Sequence, residues 1–131
     1  MKRKVIIVSL IALLSLVAGL VFAGDVINGG PDADNITGSE SNDYIDGNGG
    51  RDNIRGLGGR DEIYGDGGRD TIHAGGGADT VYGGADNDRL FGQAAGDTIY
   101  GGPGDDYIDG GGGTDSCIDT EGVNTFVDCE P

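Results

Sequence analysis

Residues 101–118 read Gly101-Gly102-Pro103-Gly104-Asp105-Asp106-Tyr107-Ile108-Asp109, then Gly110-Gly111-Gly112-Gly113-Thr114-Asp115-Ser116-Cys117-Ile118. These are two nine-residue units, each glycine-rich at its start, with aspartate sixth and an apolar residue eighth. The same frame runs back without insertion or deletion through ten consecutive nonapeptides from Gly29 to Ile118. Its sixth positions are Asp34, Asp43, Asp52, Asp61, Asp70, Asp79, Asp88, Asp97, Asp106 and Asp115. Its eighth are Ile36, Ile45, Ile54, Ile63, Ile72, Val81, Leu90, Ile99, Ile108 and Cys117. A half repeat precedes, with Asp25 sixth and Ile27 eighth. A decayed copy follows over 119–127, with Asn124 sixth and Phe126 eighth. Self-similarity at a fixed short period is the signature of a stacked repeat architecture.

Each nonapeptide reads as a six-residue glycine turn and a three-residue strand. Period-two alternation sends the eighth side chain to one face and the seventh and ninth to the other. Two nonapeptides then make one eighteen-residue coil, and stacked coils make two facing parallel sheets with the aliphatic residues as a thin seam. The expected fold is all-β, a right-handed parallel β-roll. Five full coils at a spacing of about 4.8 Å give a rod about 24 Å long.

Stacking has an electrostatic cost. The sixth-position aspartates fall into two columns, Asp34 to Asp106 along one edge and Asp25 to Asp115 along the other. Like charges about 5 Å apart repel by about 1 kcal/mol in water, and by more at lower effective dielectric. The full chain carries 23 acidic against 8 basic residues, a net charge of −15, and the only lysines lie at its start. Such a balance excludes the clustered Lys and Arg that phosphate backbones require, and with them nucleic-acid binding. Cations between the turns answer the repulsion. Calcium takes six to eight oxygens from carboxylates and carbonyls in flexible geometry, whereas magnesium demands a tighter octahedron. Zinc and copper prefer imidazole and thiolate, and the chain has one histidine and two cysteines. The columns hold four and five gaps, so about nine calcium ions is the upper bound.

The pattern G-G-x-G-x-D-x-U-x resembles the repeats-in-toxin (RTX, haemolysin-type) calcium-binding nonapeptide. The resemblance runs from Gly29 to Ile118. It implies a parallel β-roll with calcium held in the turns by the ten sixth-position aspartates and neighbouring carbonyls. This chain departs from the pattern where Ser39, Asn48, Leu57, Asp66 and Gln93 replace the second glycine. Asp32, Ser41, Asp86 and Ala95 replace the fourth. Those changes predict graded affinity, weakest in the early repeats and around Gly92.

Lys2-Arg3-Lys4, an apolar run from Val5 to Phe22 and the small residue Ala23 read as a secretory signal peptide over 1–23. An uncleaved anchor is the rival reading. Either places the acidic part outside the cytoplasm, and cleavage leaves no membrane segment. The roll is expected over 24–118 and a degenerate cap over 119–131. Cys117 and Cys129 form an even pair in an exported chain, predicting a disulfide that staples this cap over Phe126.

Too few residues lie outside the repeats for a catalytic domain. His73 is an outward ninth-position residue with no nucleophile or orienting group beside it in the pattern, so no enzyme is expected. Tyr64, Tyr82 and Tyr100 recur every eighteen residues, with Tyr44 nearby. They read either as cross-strand packing or as a strip for a glycan or protein partner. The sequence thus reads as a secreted calcium-binding protein whose roll folds on extracellular calcium. A surface adhesion or matrix module using the outer sheet face is the alternative.

Overall fold

The computed structural model describes residues 24–130, so the leader expected over 1–23 lies outside the described residues. Twelve strands follow one another: β1 Val26–Gly30, β2 Asn35–Thr37, β3 Tyr44–Asn48, β4 Asn53–Gly58, β5 Glu62–Gly67, β6 Thr71–Gly76, β7 Thr80–Ala85, β8 Arg89–Ala94, β9 Thr98–Tyr100, β10 Tyr107–Gly112, β11 Ser116–Ile118 and β12 Thr125–Val127. Odd-numbered strands form one six-stranded sheet and even-numbered strands the other. Every pairing is parallel, and partners are eighteen residues apart, as in Ile45↔Ile63 and Ile54↔Ile72. The chain is a parallel β-solenoid of six coils, one more than the ten full repeats supply. The half repeat before Gly29 gives β1 and the decayed copy gives β12.

Burial follows the period. Each strand alternates outward, inward, outward at positions seven, eight and nine, and Ile27 through Ile108 are at most 1% exposed. β-Branched residues dominate this seam because their stiff side chains suit a pleated surface that is covered on its inner face. Among the ten full repeats only Ala74 interrupts the glycines at the first position, and it is fully buried.

The turns are held by the coils on either side. Gly49 N–H donates to Gly30 O at 3.1 Å and Gly58 N–H to Ser39 O at 3.0 Å. Gly50 N–H reaches Gly67 O at 2.8 Å. Second positions from Asn48 onward turn through positive φ, at 66° for Asn48, 85° for Leu57 and 122° for Gly75. At Gly75 a side chain would also run into the Leu57 carbonyl of the preceding coil, so glycine is required there for both reasons.

At the C-terminal end Cys117 and Cys129 form the expected disulfide, with Cα atoms 5.7 Å apart. Both pack against the seam. The cap nevertheless differs from expectation at Phe126. It aligns with Ile108 at the inward position but is 46% exposed. The reason is topological. Beyond β12 the chain crosses to the other sheet, where Glu130 N–H bonds Asp115 O at 2.8 Å and pairs with Ser116. The staple therefore closes the end of the β11 sheet and leaves β12, with Phe126, as an uncovered terminal strand.

Candidate metal centre

The ten sixth-position aspartates lie in the two expected columns, and all ten are buried, none more than 7% exposed. One oxygen of each carboxylate has a fixed structural role. Asp52 N–H donates to Asp70 Oδ1 at 2.7 Å, and Asp70, Asp88 and Asp97 N–H donate to Asp88, Asp106 and Asp115 Oδ1 at 2.8 Å. From Asp43 to Asp115 each carboxylate thus caps the main chain of the coil before it. The series ends at a neutral group, where Asp106 N–H donates to Asn124 Oδ1 at 2.8 Å.

The second oxygen divides the columns. Oδ2 of Asp52, Asp61, Asp70, Asp79, Asp88, Asp97, Asp106 and Asp115 is buried with no hydrogen-bond partner. In the first coil the turn itself provides one. Gly30 N–H donates to Asp34 Oδ2 at 2.7 Å. Ser39 N–H and its hydroxyl reach Asp43 Oδ2 at 2.6 and 3.1 Å. The distinction follows the backbone at the second position. In all eight turns with a bare oxygen that residue has positive φ, whereas Gly30 and Ser39 do not. Where φ is positive, the N–H no longer faces the carboxylate.

Burial raises the proton affinity of Asp52 and of six further carboxyls in the columns. Burial pushes the carboxyls of Asp61, Asp70, Asp79 and Asp97 up to about 6 and Asp88 up to about 7; main-chain donors oppose the rise and neighbouring carboxylates add to it. Asp106 is also raised to about 6, chiefly by burial and further by Asp119. Asp119 escaped the sequence reading. It occupies a first position, where every full repeat has Gly or Ala, and its own buried Oδ2 lacks a partner beside Gly101 and Asp106. An acidic residue at a glycine position was the available signal.

No group of three or more His, Cys, Asp or Glu side chains suited to a metal converges among the described residues. A cation between stacked turns would therefore draw on main-chain carbonyls as well as two carboxylates. That is an all-oxygen donor set of the kind hard divalent cations accept. Unpartnered buried carboxylate oxygens fit such an ion, because it supplies the positive charge that the protein withholds.

His73 belongs to a different region, stacked on Phe91 with ring centroids 4.6 Å apart. The tyrosine row is present on the other sheet. Tyr64–Tyr82 and Tyr82–Tyr100 stack at 4.7 and 4.9 Å, and Tyr44 tilts against Tyr64 at 5.5 Å.

Fold and donor chemistry together define a parallel β-solenoid built to hold cations in its turns. The family model of the RTX calcium-binding nonapeptide repeat matches in four copies, over residues 23–54, 46–81, 55–90 and 82–117, and the chain belongs to that family. Its repeats are calcium-binding repeats. No curated protein and no solved structure matches the chain.

Proposed function

We propose that this is an exported calcium-binding protein whose solenoid assembles when it meets extracellular calcium, with the sixth-position aspartates as ligands. The observation that carries this reading is the set of eight buried, unpartnered carboxylate oxygens. Such groups are costly in any fold that leaves them bare, and the aliphatic seam is one residue deep per strand. Calcium offsets both the desolvation and the repulsion along each column. Six gaps lie between two bare carboxylates: 52/70, 70/88, 88/106, 61/79, 79/97 and 97/115. These are the best-provided of the nine gaps, and the first coil, whose carboxylates already have donors, is the poorest.

The ladder geometry favours packing as the role of the tyrosines. Rings stacked within 9° of parallel cover one another's faces and offer edges to the solvent, whereas a sugar platform presents faces. Far-ultraviolet circular dichroism and small-angle scattering, with chelator and then with about 10⁻³ M calcium, test the proposal. A disordered chain that compacts and gains strand signal is expected. A chain equally compact in chelator sinks it.

A further inference from the structure

The outer face of the second sheet carries a feature that neither the calcium columns nor the seam requires. Arg55, His73 and Phe91 align in register at the ninth position, and Leu57, Gly75 and Gln93 align at the second position of the following repeats. Gly75 has no side chain between Leu57 and Gln93, so the row contains a notch. Arg55, Leu57, His73, Gly75 and Gln93 line a groove of about 390 Å³ there. Its floor cannot be filled, because Gly75 sits at φ 122° against the Leu57 carbonyl. One wall is Leu57, 42% exposed and held at φ 85°, a conformation unfavourable for a branched side chain.

The charge around His73 is basic, with Asp109 further along the row beside Phe91 and Glu40 against Gly58 next to Leu57. The cross-strand neighbours of Arg55 are Thr37 and His73, and those of Arg89 are Thr71 and Tyr107; none is acidic. Arg89 lies over the Phe91 and Tyr107 rings, its Cζ 5.8 and 5.4 Å from their centroids. Burial, then Arg55 and Arg89, lower the His73 pKa. Two guanidinium groups thus bear on one imidazole, in a chain with only five arginines beyond its leader.

We propose that this notch binds an acidic sugar residue, with its carboxylate at Arg55 and His73 and its ring over Gly75 between Leu57 and Gln93. The guanidinium fork matches a carboxylate in a bidentate manner. The Gln93 amide offers both a donor and an acceptor to hydroxyls, and Leu57 covers the apolar edge of the ring. A bare inorganic anion would use only the Arg55 end of the groove.

His73 is the only histidine, so its ring resonances report the site without ambiguity. The test titrates calcium-saturated protein, its fold verified by circular dichroism, with sodium glucuronate at constant ionic strength. Glucose and sodium acetate serve as parallel probes. A saturable His73 shift with glucuronate, weakened about tenfold or more in Arg55→Gln and in Gln93→Ala, is expected. Arg51→Gln, in the turn before β4 and away from the notch, leaves saturation within about twofold. Any of three results overturns the proposal: a linear shift matching that of sodium chloride, equal saturation by glucose, or unchanged saturation in Arg55→Gln. Equal saturation by acetate rejects the sugar and leaves a simple carboxylate site. Because the titration begins from folded, calcium-loaded protein, its failure is distinct from a failure of calcium-coupled folding.

Discussion

Replacing Asp88 by asparagine should move the calcium-free and calcium-bound states in opposite directions. Asp88 uses Oδ1 to accept the Asp70 N–H at 2.8 Å, leaves Oδ2 without a partner, and has its pKa pushed up to about 7 by burial. Asparagine keeps the first interaction, as Asn124 does two coils further on toward Asp106 at 2.8 Å, and removes the buried charge. A buried oxygen left without a donor costs about 1–3 kcal/mol and more when charged, and the amide nitrogen that replaces it, although buried too, carries no charge. Relief of that order in Asp88→Asn raises the folded-to-unfolded ratio in chelator by about 5-fold to 150-fold. The same change removes a charged oxygen from two gaps, those toward Asp70 and Asp106. Trimethylamine oxide, which strengthens burial without acting as a cation, folds the chelated chain in a titration followed by circular dichroism. The variant should fold at lower osmolyte concentration than the parent, yet require more calcium and bind about two fewer ions in equilibrium dialysis. A variant that is harder to fold in chelator, or that takes up calcium as the parent does, would refute the account of Oδ2.

Acid should substitute for calcium. Carboxyls raised from 3.8 to about 6 or 7 in the fold keep protons that the unfolded chain has lost, so calcium-free stability rises as pH falls from about 7 toward 4 and is lost on the way back up. In chelator, strand signal should grow between about pH 7.5 and 5, and by more than raised salt alone produces at the higher pH. Asp79→Ala should raise the calcium midpoint more than Asp43→Ala, because Asp43 Oδ2 already has Ser39 donors whereas Asp79 Oδ2 has none; equal midpoints by isothermal titration contradict this. Reducing Cys117–Cys129 should cost about 2–4 kcal/mol or less and loosen β11 first. Hydrogen exchange that rises uniformly along the rod would contradict that localisation.

The fold was legible because one period governs everything. Aspartate and isoleucine recurring every nine residues give the strand phase, the two sheets, the seam and the carboxylate columns, and all appear in register. What stayed hidden depends on features that the period does not encode. Whether Oδ2 is free follows from the sign of φ at the second position, and Ser39 and Leu57, both glycine replacements, take opposite signs. Phe126 occupies its inward position, but its cover depends on which sheet the chain crosses to next. The row of His73, Phe91 and Tyr107 mixes ninth- and seventh-position residues on adjacent strands, with Phe91–Tyr107 centroids at 5.8 Å. A search for eighteen-residue spacing finds His73 and Phe91 but passes over Tyr107.

The stacked phenols also give the protein an optical signature of its own assembly. Tyr64, Tyr82 and Tyr100 belong to β5, β7 and β9, and their rings lie less than 5 Å apart only when those three coils are stacked. With no tryptophan in the chain to mask them, electronic coupling between their transition dipoles falls in the near-ultraviolet, where unstacked tyrosines give little dichroism. Assembly at mid-rod can therefore be followed without a label. Tyr64 donates its hydroxyl proton to Glu62 at 2.5 Å, and this bond holds its ionisation above that of an ordinary phenol. The Tyr64 ring consequently stays neutral in alkaline solution, where carboxylates are fully charged and the demand for calcium is greatest.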